Sequence, residues 1–311
     1  MSDESTCDVL SLAWSEAQLI GSPTWTVLAS CAVFVVLCFV VSELTGNYSQ
    51  VDKLWSITPF IYSLQVATDA RTRLAAAAAA VWSIRLTYNF YRRGGYQWPP
   101  WEGEEDYRWA LIRSGAFLSV LRKPHVYRVF NLTFICVYQH ALLLLIASPA
   151  VAAHVVSERC GPPWGGGLVP LDYVATVLIL FLIGIEGLAD QQQYDFQTEK
   201  RRRALAGTKP TGDYAVGFCR TGLFAVVRKP NYASEQAIWI AFYLYGVAAT
   251  GRWTNASATG WILLVLLFQG SGKFTENLSK EKYAGYADYQ QTVPLYVPNL
   301  FLLRRNKAKA V

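Results

Sequence analysis

The sequence is poor in charged residues, which make up 16% of its 311 residues, whereas 53% are hydrophobic. A soluble domain usually carries about 25% charged residues, because its surface must be polar. The shortage excludes a large soluble globule, since too few polar side chains remain to coat one. The mean hydropathy of +0.21 agrees with this conclusion.

The sequence also lacks the cysteine and histidine patterns of metal and redox sites. None of its 6 cysteines forms a CxxC pair, and its 3 histidines stand far apart. Zinc sites and dithiol motifs need such close spacing. We therefore expect no bound metal.

Basic residues are absent from residues 1–24, which instead carry Asp3, Glu4, Asp8 and Glu16. A cleavable signal peptide begins with basic residues, so we expect none here. We interpret residues 1–24 as an N-terminal segment on the outer side of a membrane.

Long apolar runs are what the sequence has in abundance, for example at residues 31–41, 141–153 and 174–185. Each extends to roughly the 20 residues that cross a hydrocarbon core of about 30 Å. The predicted fold class is all-α, a polytopic membrane protein with about seven transmembrane helices and cytosolic loops. The predicted spans are 25–43, 55–70, 74–91, 130–151, 170–189, 232–250 and 257–272.

The basic residues favour this topology. With seven spans, 23 of the 28 Lys and Arg residues fall on one side of the membrane. The positive-inside rule makes that side cytosolic and leaves the N-terminus outside. Residues 25–311 are predicted to form a single membrane domain. Cys7 and Cys160 both fall on the predicted outer side. A disulfide between them is an alternative that the sequence does not decide.

Polar residues gather near the cytosolic ends of the predicted spans. Such residues are costly in a membrane and are typical of functional sites. The alternative is that they snorkel or cap helices at the interface. The candidates are Asp52, Arg85, Tyr88, Asn89, Tyr91, Glu186, Asp190, Glu235 and Gln236.

The loop at residues 190–231 carries the most chemical information. Its arginines can bind phosphate through bidentate hydrogen bonds, and a helix beginning after Pro230 would direct free N–H groups at an anion. Residues 200–203, Lys-Arg-Arg-Arg, have a simpler interpretation. Attraction to anionic lipid, at about 1 kcal/mol per basic residue, is enough to explain that run.

The motifs of residues 45–300 resemble the steroid 5α-reductase superfamily, and within it the DUF1295-type branch. The strongest part reads Gly-Leu-Phe at 222–224 and Arg-Lys-Pro-Asn-Tyr at 228–232, with Glu235 after it. Further matching segments are 52–56, 104–108, 189–191, 276–279, 282–283 and 294–298.

This resemblance implies a seven-span reductase that acts on the α,β-unsaturated carbonyl of a steroid-like or enoyl lipid and uses NADPH. The implied cofactor-binding residues are Asp190, Tyr214, Arg220, Asn231, Glu235 and Tyr286. In the steroid enzymes an acid on the second span and a tyrosine on the third hold the substrate carbonyl. The nearest positions here are Asp52 and Tyr88 or Tyr91, our candidate catalytic residues.

The chain departs from the family pattern at three positions of this signature. Lys229 stands where a histidine is usual, Ala233 where a phenylalanine is usual, and Ser234 where a glycine is usual. A side chain at 234 could crowd a cofactor that needs close approach. These departures motivate an alternative, a non-catalytic subunit of a larger membrane complex. A second alternative is an S-adenosylmethionine-dependent methyltransferase of the isoprenylcysteine type, which has a similar turn before a membrane helix.

The expected partners are a lipid substrate and membrane lipids, with no nucleic acid, and a larger membrane complex under the subunit interpretation. The expected location is the endoplasmic reticulum, with the mitochondrial inner membrane and a bacterial plasma membrane as alternatives.

Overall fold

A computed structural model describes residues 23–116, 118–160 and 167–299, and in these ranges it contains helices but no β-strand. The all-α prediction is confirmed for this part of the chain. The α-helices are α1 (Pro23–Thr45), α2 (Gln50–Trp55), α3 (Thr58–Gln65), α4 (Ala70–Arg92), α5 (Tyr107–Arg113), α6 (Pro124–Phe130), α7 (Gln139–Cys160), α8 (Pro170–Leu205), α9 (Asp213–Val216), α10 (Pro230–Thr250), α11 (Ala258–Lys282) and α12 (Tyr286–Thr292). A π-helical segment, Asn131–Tyr138, joins α6 to α7, and 3₁₀ turns lie at Ser119–Arg122 and Gly222–Ala225.

Cys7 and the side chain of Cys160 lie outside the described residues, so the structure does not test their pairing.

Among the described residues, three helical segments are long and apolar enough to cross a membrane: Pro23–Thr45, Pro124–Arg159 and Pro170–Leu205. Large apolar side chains on α1 face outward, with Val36 59% exposed and Leu44 81% exposed. Burial in lipid rather than in protein accounts for such exposure on an otherwise apolar helix. The chain therefore has the character of a membrane protein.

These three segments contain the first, fourth and fifth predicted spans. The third, sixth and seventh coincide with α4, α10 and α11, helices of 23, 21 and 25 residues. The second predicted span, 55–70, differs most. There α2 ends at Trp55, α3 begins at Thr58 with Pro59 in its first turn, and α3 ends after 8 residues. A helix of that length measures about 12 Å, short of the hydrocarbon thickness.

The chain forms two compact units. Unit 1 contains the described residues up to 177 together with 241–263, and unit 2 contains 178–240 and the described residues from 264. The boundaries fall inside α8, α10 and α11.

Unit 1 is held together by close helix contacts and by one buried ion pair. A Cβ atom placed on Gly260 of α11 would lie 2.1 Å from the carbonyl oxygen of Leu145 in α7, so the two backbones approach closely there. Small residues permit such approach between membrane helices. At the start of α4, Arg71 donates to the Asp172 carboxylate at 2.9 Å, and both side chains are buried.

Unit 2 has an aromatic core at its C-terminal end. Phe218, Tyr286 and Tyr289 pack in tilted and edge-to-face contacts with centroids 4.9–5.6 Å apart. Val293 completes this cluster. The core anchors α12 beside the loop that carries the resemblance to the reductases.

Candidate functional site

The C-terminal half of α8 provides one wall of the candidate site. This helix has 36 residues and is therefore about 54 Å long, more than the hydrocarbon core needs. Its apolar residues are concentrated in the N-terminal half, and polar residues follow from Asp190. This half can therefore project into water and present side chains to a soluble ligand.

A cleft of about 580 Å³ lies against this half of α8. Both polar and aromatic side chains line it, and two glycines contribute backbone. The lining residues are Gln192, Asp195, Phe196, Arg203, Thr211, Gly212, Asp213, Tyr214, Cys219, Thr221 and Gly222.

Tyr214 is the predicted cofactor residue that lines this cleft. Its ring stacks on Phe196 with the centroids 5.2 Å apart and the planes 5° from parallel. The Arg203 guanidinium lies 4.1 Å from the centre of the same ring. A cation and two aromatic rings thus meet in the cleft, a combination suited to a phosphate beside a planar heterocycle.

Arg220 borders the cleft through Asp213. Its Nε donates to Asp213 Oδ1 at 2.9 Å, and its backbone N–H donates to Oδ2 at 3.0 Å. The Arg220 side chain remains 49% exposed. Because the guanidinium of Arg220 is paired with Asp213 only through Nε, its other N–H groups can donate to a second anion.

Gln192 shapes the turn opposite Tyr214. Its Oε1 accepts from the Leu223 N–H at 3.0 Å. Gly222 has a φ of +61°, and a Cβ there would lie 2.7 Å from the Gln192 amide. The backbone conformation therefore favours glycine at 222, and a side chain there would displace the Gln192 amide.

Asp190, Asn231 and Glu235 lie in the same unit, and two of them meet. Asn231 Nδ2 donates to Asp190 Oδ1 at 3.5 Å, the long limit of a hydrogen bond. Glu235, one turn along α10, is buried and accepts from Trp239 Nε1 at 2.9 Å.

Tyr286 has an internal role in the structure. It is buried, and its hydroxyl donates to Glu276 Oε1 at 2.5 Å. Glu276 Oε2 accepts from Arg228 Nε at 2.8 Å and from Gln290 Nε2 at 3.0 Å. Arg228 also donates to the main-chain oxygens of Gln290 and Val293. Arg228 and Tyr286 therefore bind the C-terminal segment of unit 2 to the 228–235 turn.

The pKa values in this network reflect the same contacts. Burial alone would raise the pKa of Glu276, but hydrogen bonds from Tyr286, Gln290 and Arg228 outweigh it, and the pKa lies below its usual value. Burial, reinforced by the Glu276 carboxylate, raises the pKa of Tyr286. Glu276 was not among the predicted site residues, although it opens the matching 276–279 segment.

Asp52 lies in unit 1, at the helix α2. Its Oδ2 accepts from Trp109 Nε1 at 2.9 Å. Removal from water raises the pKa of Asp52, and the positive charge of Arg108 opposes that effect. Its neighbour Lys53 is buried and donates to the main-chain oxygens of Pro100 and Glu102 at 3.2 and 2.6 Å.

Tyr88 and Tyr91 lie on the outward side of α4, 62% and 63% exposed. Arg92 lies over the Tyr88 ring at 5.6 Å. A different tyrosine of this unit, Tyr96, lies beside α2. Its hydroxyl donates to the Lys53 carbonyl at 2.6 Å and lies 3.2 Å from the Ser56 hydroxyl. Nothing in the spacing of residues 52–96 singled out Tyr96.

In the part of the chain that the structure describes, no group of three or more His, Cys, Asp or Glu side chains is placed to hold a metal ion.

Comparison with known proteins identifies the family. A family model described as a protein of unknown function, DUF1295, matches residues 38–293. An uncharacterized protein of Schizosaccharomyces pombe is 36% identical over 275 residues, which cover 84% of this chain and 75% of that protein. No solved structure matches. The family match spans both the α2 region and the cleft, and the chain therefore belongs to the DUF1295 family.

Proposed function

We propose that this chain is an NADPH-dependent reductase of an α,β-unsaturated lipid carbonyl, a DUF1295-type member of the steroid 5α-reductase superfamily. The observation that carries the proposal is the cleft along α8. The segment that resembles the reductases, residues 190–235, supplies its stacked Phe196 and Tyr214 and its neighbouring arginines. A seven-span topology in the endoplasmic reticulum, with this cleft on the cytosolic face, belongs to the same proposal.

The residues of the cleft fit a phosphate-bearing cofactor in their chemistry. Arg203 and the half-exposed Arg220 would hold phosphate oxygens, because guanidinium groups bind them in a bidentate manner. Tyr214 and Phe196 offer aromatic surface, and Gly212, with a φ of +58° and open space around its Cβ position, lets a ligand approach the backbone. Asp190 and Asn231 offer a carboxylate and an amide to hydroxyl or amide groups.

When bound, NADPH would supply a hydride to the β-carbon of the conjugated carbonyl. Negative charge then develops on the carbonyl oxygen of the substrate. A tyrosine O–H, polarised by a nearby carboxyl group such as that of Asp52, would donate to this oxygen, and a proton would finally reach the α-carbon.

A lipid assay tests the proposal. Purified protein with NADPH is incubated with a total lipid extract, and mass spectrometry follows species that gain two hydrogens. We expect such a gain for one lipid class, and its absence from reactions without NADPH. If S-adenosylmethionine raises the melting temperature of the protein and NADPH does not, the methyltransferase alternative replaces the reductase.

The alternative of a non-catalytic subunit is motivated by Ser234, whose side chain is buried at 4% exposure. A buried side chain at this position leaves less room beside Asn231 and Glu235 than a glycine would. A subunit would migrate in a stable complex on a native gel and would consume no NADPH. An enzyme would migrate as a small detergent-bound particle with turnover.

A further inference from the structure

The loop between Gly94 and Glu104 in unit 1 presents two tryptophan side chains on its surface. Trp98 is 87% exposed and Trp101 is 48% exposed, although tryptophan is on average a largely buried residue. The loop is closed at its base, where the Glu104 N–H donates to the Gly94 carbonyl at 3.2 Å. Two exposed indole rings on one closed loop indicate an interaction surface.

The main chain of this loop is fixed by side chains that follow α1. Four consecutive main-chain oxygens, those of residues 100–103, accept hydrogen bonds from them. Lys53 Nζ donates to the first and the third at 3.2 and 2.6 Å, and Gln50 Nε2 donates to the second at 2.9 Å. Asn47 Nδ2 donates to the fourth at 3.1 Å. The loop is therefore bound to unit 1 through its backbone, while its two indole rings stay on the outer surface.

The same hydrogen bonds place the loop at the level of a membrane surface. The helix α1 has 23 residues and is about 35 Å long, enough to cross a hydrocarbon core of about 30 Å. Asn47 follows Thr45, the last residue of α1, by two positions. Glu43, near this end of α1, pairs at 2.7 Å with Arg128, which lies near the start of another candidate span, Pro124–Arg159. Ends of two candidate spans thus meet where the loop is attached.

The side chains of this region suit the headgroup layer of a bilayer. Tryptophan and tyrosine are enriched there, because each combines an apolar ring with a polar group. Tyr88 and Tyr91, 62% and 63% exposed, lie in the last turns of α4, directly before the loop. Glu102 and Glu104 are exposed on the loop itself. Carboxylates are costly in hydrocarbon, so they limit the loop to the depth of the headgroups.

We infer that residues 94–104 form an interfacial anchor, whose Trp98 and Trp101 rings lie in the phospholipid headgroup layer of the bilayer that α1 crosses. The hydrogen bonds from Asn47, Gln50 and Lys53 set the depth of the anchor relative to α1. The anchor depends on α1 crossing the bilayer and on no part of the reductase proposal.

Quenching of tryptophan fluorescence tests the depth of Trp98. Full-length protein is reconstituted in phosphatidylcholine nanodiscs that contain lipid brominated either near the headgroup or near the end of the acyl chain. Acrylamide is the quencher in water. The difference between the wild type and Trp98→Phe isolates the emission of Trp98. We expect this emission to be quenched more strongly by bromine near the headgroup than by bromine near the chain end, and only weakly by acrylamide.

A matched control moves one tryptophan from the loop to the polar half of α8. The double variant Trp98→Phe with Arg201→Trp keeps the number of tryptophans, and Arg201 is exposed. Its added emission should be quenched by acrylamide and not by either brominated lipid. Both substitutions change exposed side chains, so the melting temperature in nanodiscs should stay close to that of the wild type.

Two results would overturn the anchor. If the Trp98 emission is quenched by acrylamide as strongly as that of the tryptophan at 201, and not by brominated lipid, the loop lies in water. If Trp98→Ala instead releases a protein that co-migrates with the wild type on a native gel, and brominated lipid has no effect, the surface binds a protein partner.

Discussion

Arg228 shows why the residue type alone does not define a ligand-binding group. In the sequence it stands within the motif that resembles a cofactor signature. In the structure its guanidinium is 10% exposed and paired with Glu276, which is 6% exposed. With its other donors on the carbonyls of Gln290 and Val293, it holds the C-terminal segment in place. Arg220, half exposed, is the better candidate for binding phosphate.

Replacing Arg228 by methionine should destabilise the protein strongly. Removing one partner of a buried ion pair leaves the other charge uncompensated, at a cost of about 3–5 kcal/mol. Arg202 pairs with Glu199 but is 68% exposed, so Arg202→Met should leave the stability almost unchanged. Denaturant titration in detergent measures both; similar losses for the two variants would contradict the assigned role of Arg228.

The depressed pKa of Glu276 predicts a pH dependence of stability. A carboxyl with a folded-state pKa below its ordinary 4.5 binds fewer protons in the folded than in the unfolded state. Its contribution is therefore complete above that ordinary value and is lost as the pH falls through the folded-state pKa. The melting temperature should drop on acidification below about pH 5, and less steeply in Glu276→Gln. Parallel curves for the two proteins would contradict the assignment.

Arg220→Ala should weaken NADPH binding with little effect on folding. The ion pair of Arg220 with Asp213 is half exposed, so its loss should cost at most about 1 kcal/mol of stability. Loss of a charged hydrogen bond to phosphate should lower affinity by about 10-fold or more. Isothermal titration with NADPH measures the change, and Arg202→Ala provides an exposed arginine outside the cleft as a control. If the two variants bind NADPH with equal affinity, Arg220 is not part of the cofactor site.

At the scale of helices, the packing of α11 depends on one glycine. A methyl group at 260 would collide with the main chain of α7 at Leu145, which cannot move aside. We expect Gly260→Ala to destabilise the protein by about 2 kcal/mol or more, since overpacking forces backbone shifts. Gly270 of the same helix has open space at its Cβ position. Gly270→Ala should therefore be neutral or gain up to about 1 kcal/mol. Thermal denaturation of the two variants tests the difference.

The apolar runs predicted the strongest helices well, because length and hydropathy are local properties of the chain. The predicted spans 25–43 and 170–189 lie within α1 and α8, and the span 130–151 lies within the continuous helical segment Pro124–Arg159. Prediction was weaker at residues 55–70. A new short helix begins there with Pro59 in its first turn, and polar residues interrupt the apolar sequence.

The candidate site was predictable in its segments but not in its contacts. The resemblance pointed to residues 190–235, and the cleft lies there. It did not show that Tyr286 would be bonded to Glu276, or that Arg203 would lie over Tyr214. These pairings join residues that are distant in sequence or on different elements, so only the folded chain determines which arginine is free to bind a ligand.

For the whole molecule, we propose that the apolar unit 1 binds a lipid and that the cleft in unit 2 holds a phosphate-bearing cofactor. Family membership and the membrane character do not depend on that proposal. The reductase chemistry does, and it requires that hydrogen from the cofactor reach a lipid.

The most direct test uses NADPH that carries deuterium on the reactive carbon of its nicotinamide ring. Purified protein is incubated with this cofactor and a total lipid extract, and mass spectrometry follows the lipids. The predicted result is one lipid class that gains one deuterium at the β-carbon and one solvent hydrogen at the α-carbon, with loss of its conjugated double bond. Oxidation of the cofactor without transfer of deuterium to any lipid, or no oxidation by a folded protein that binds it, would contradict the proposal.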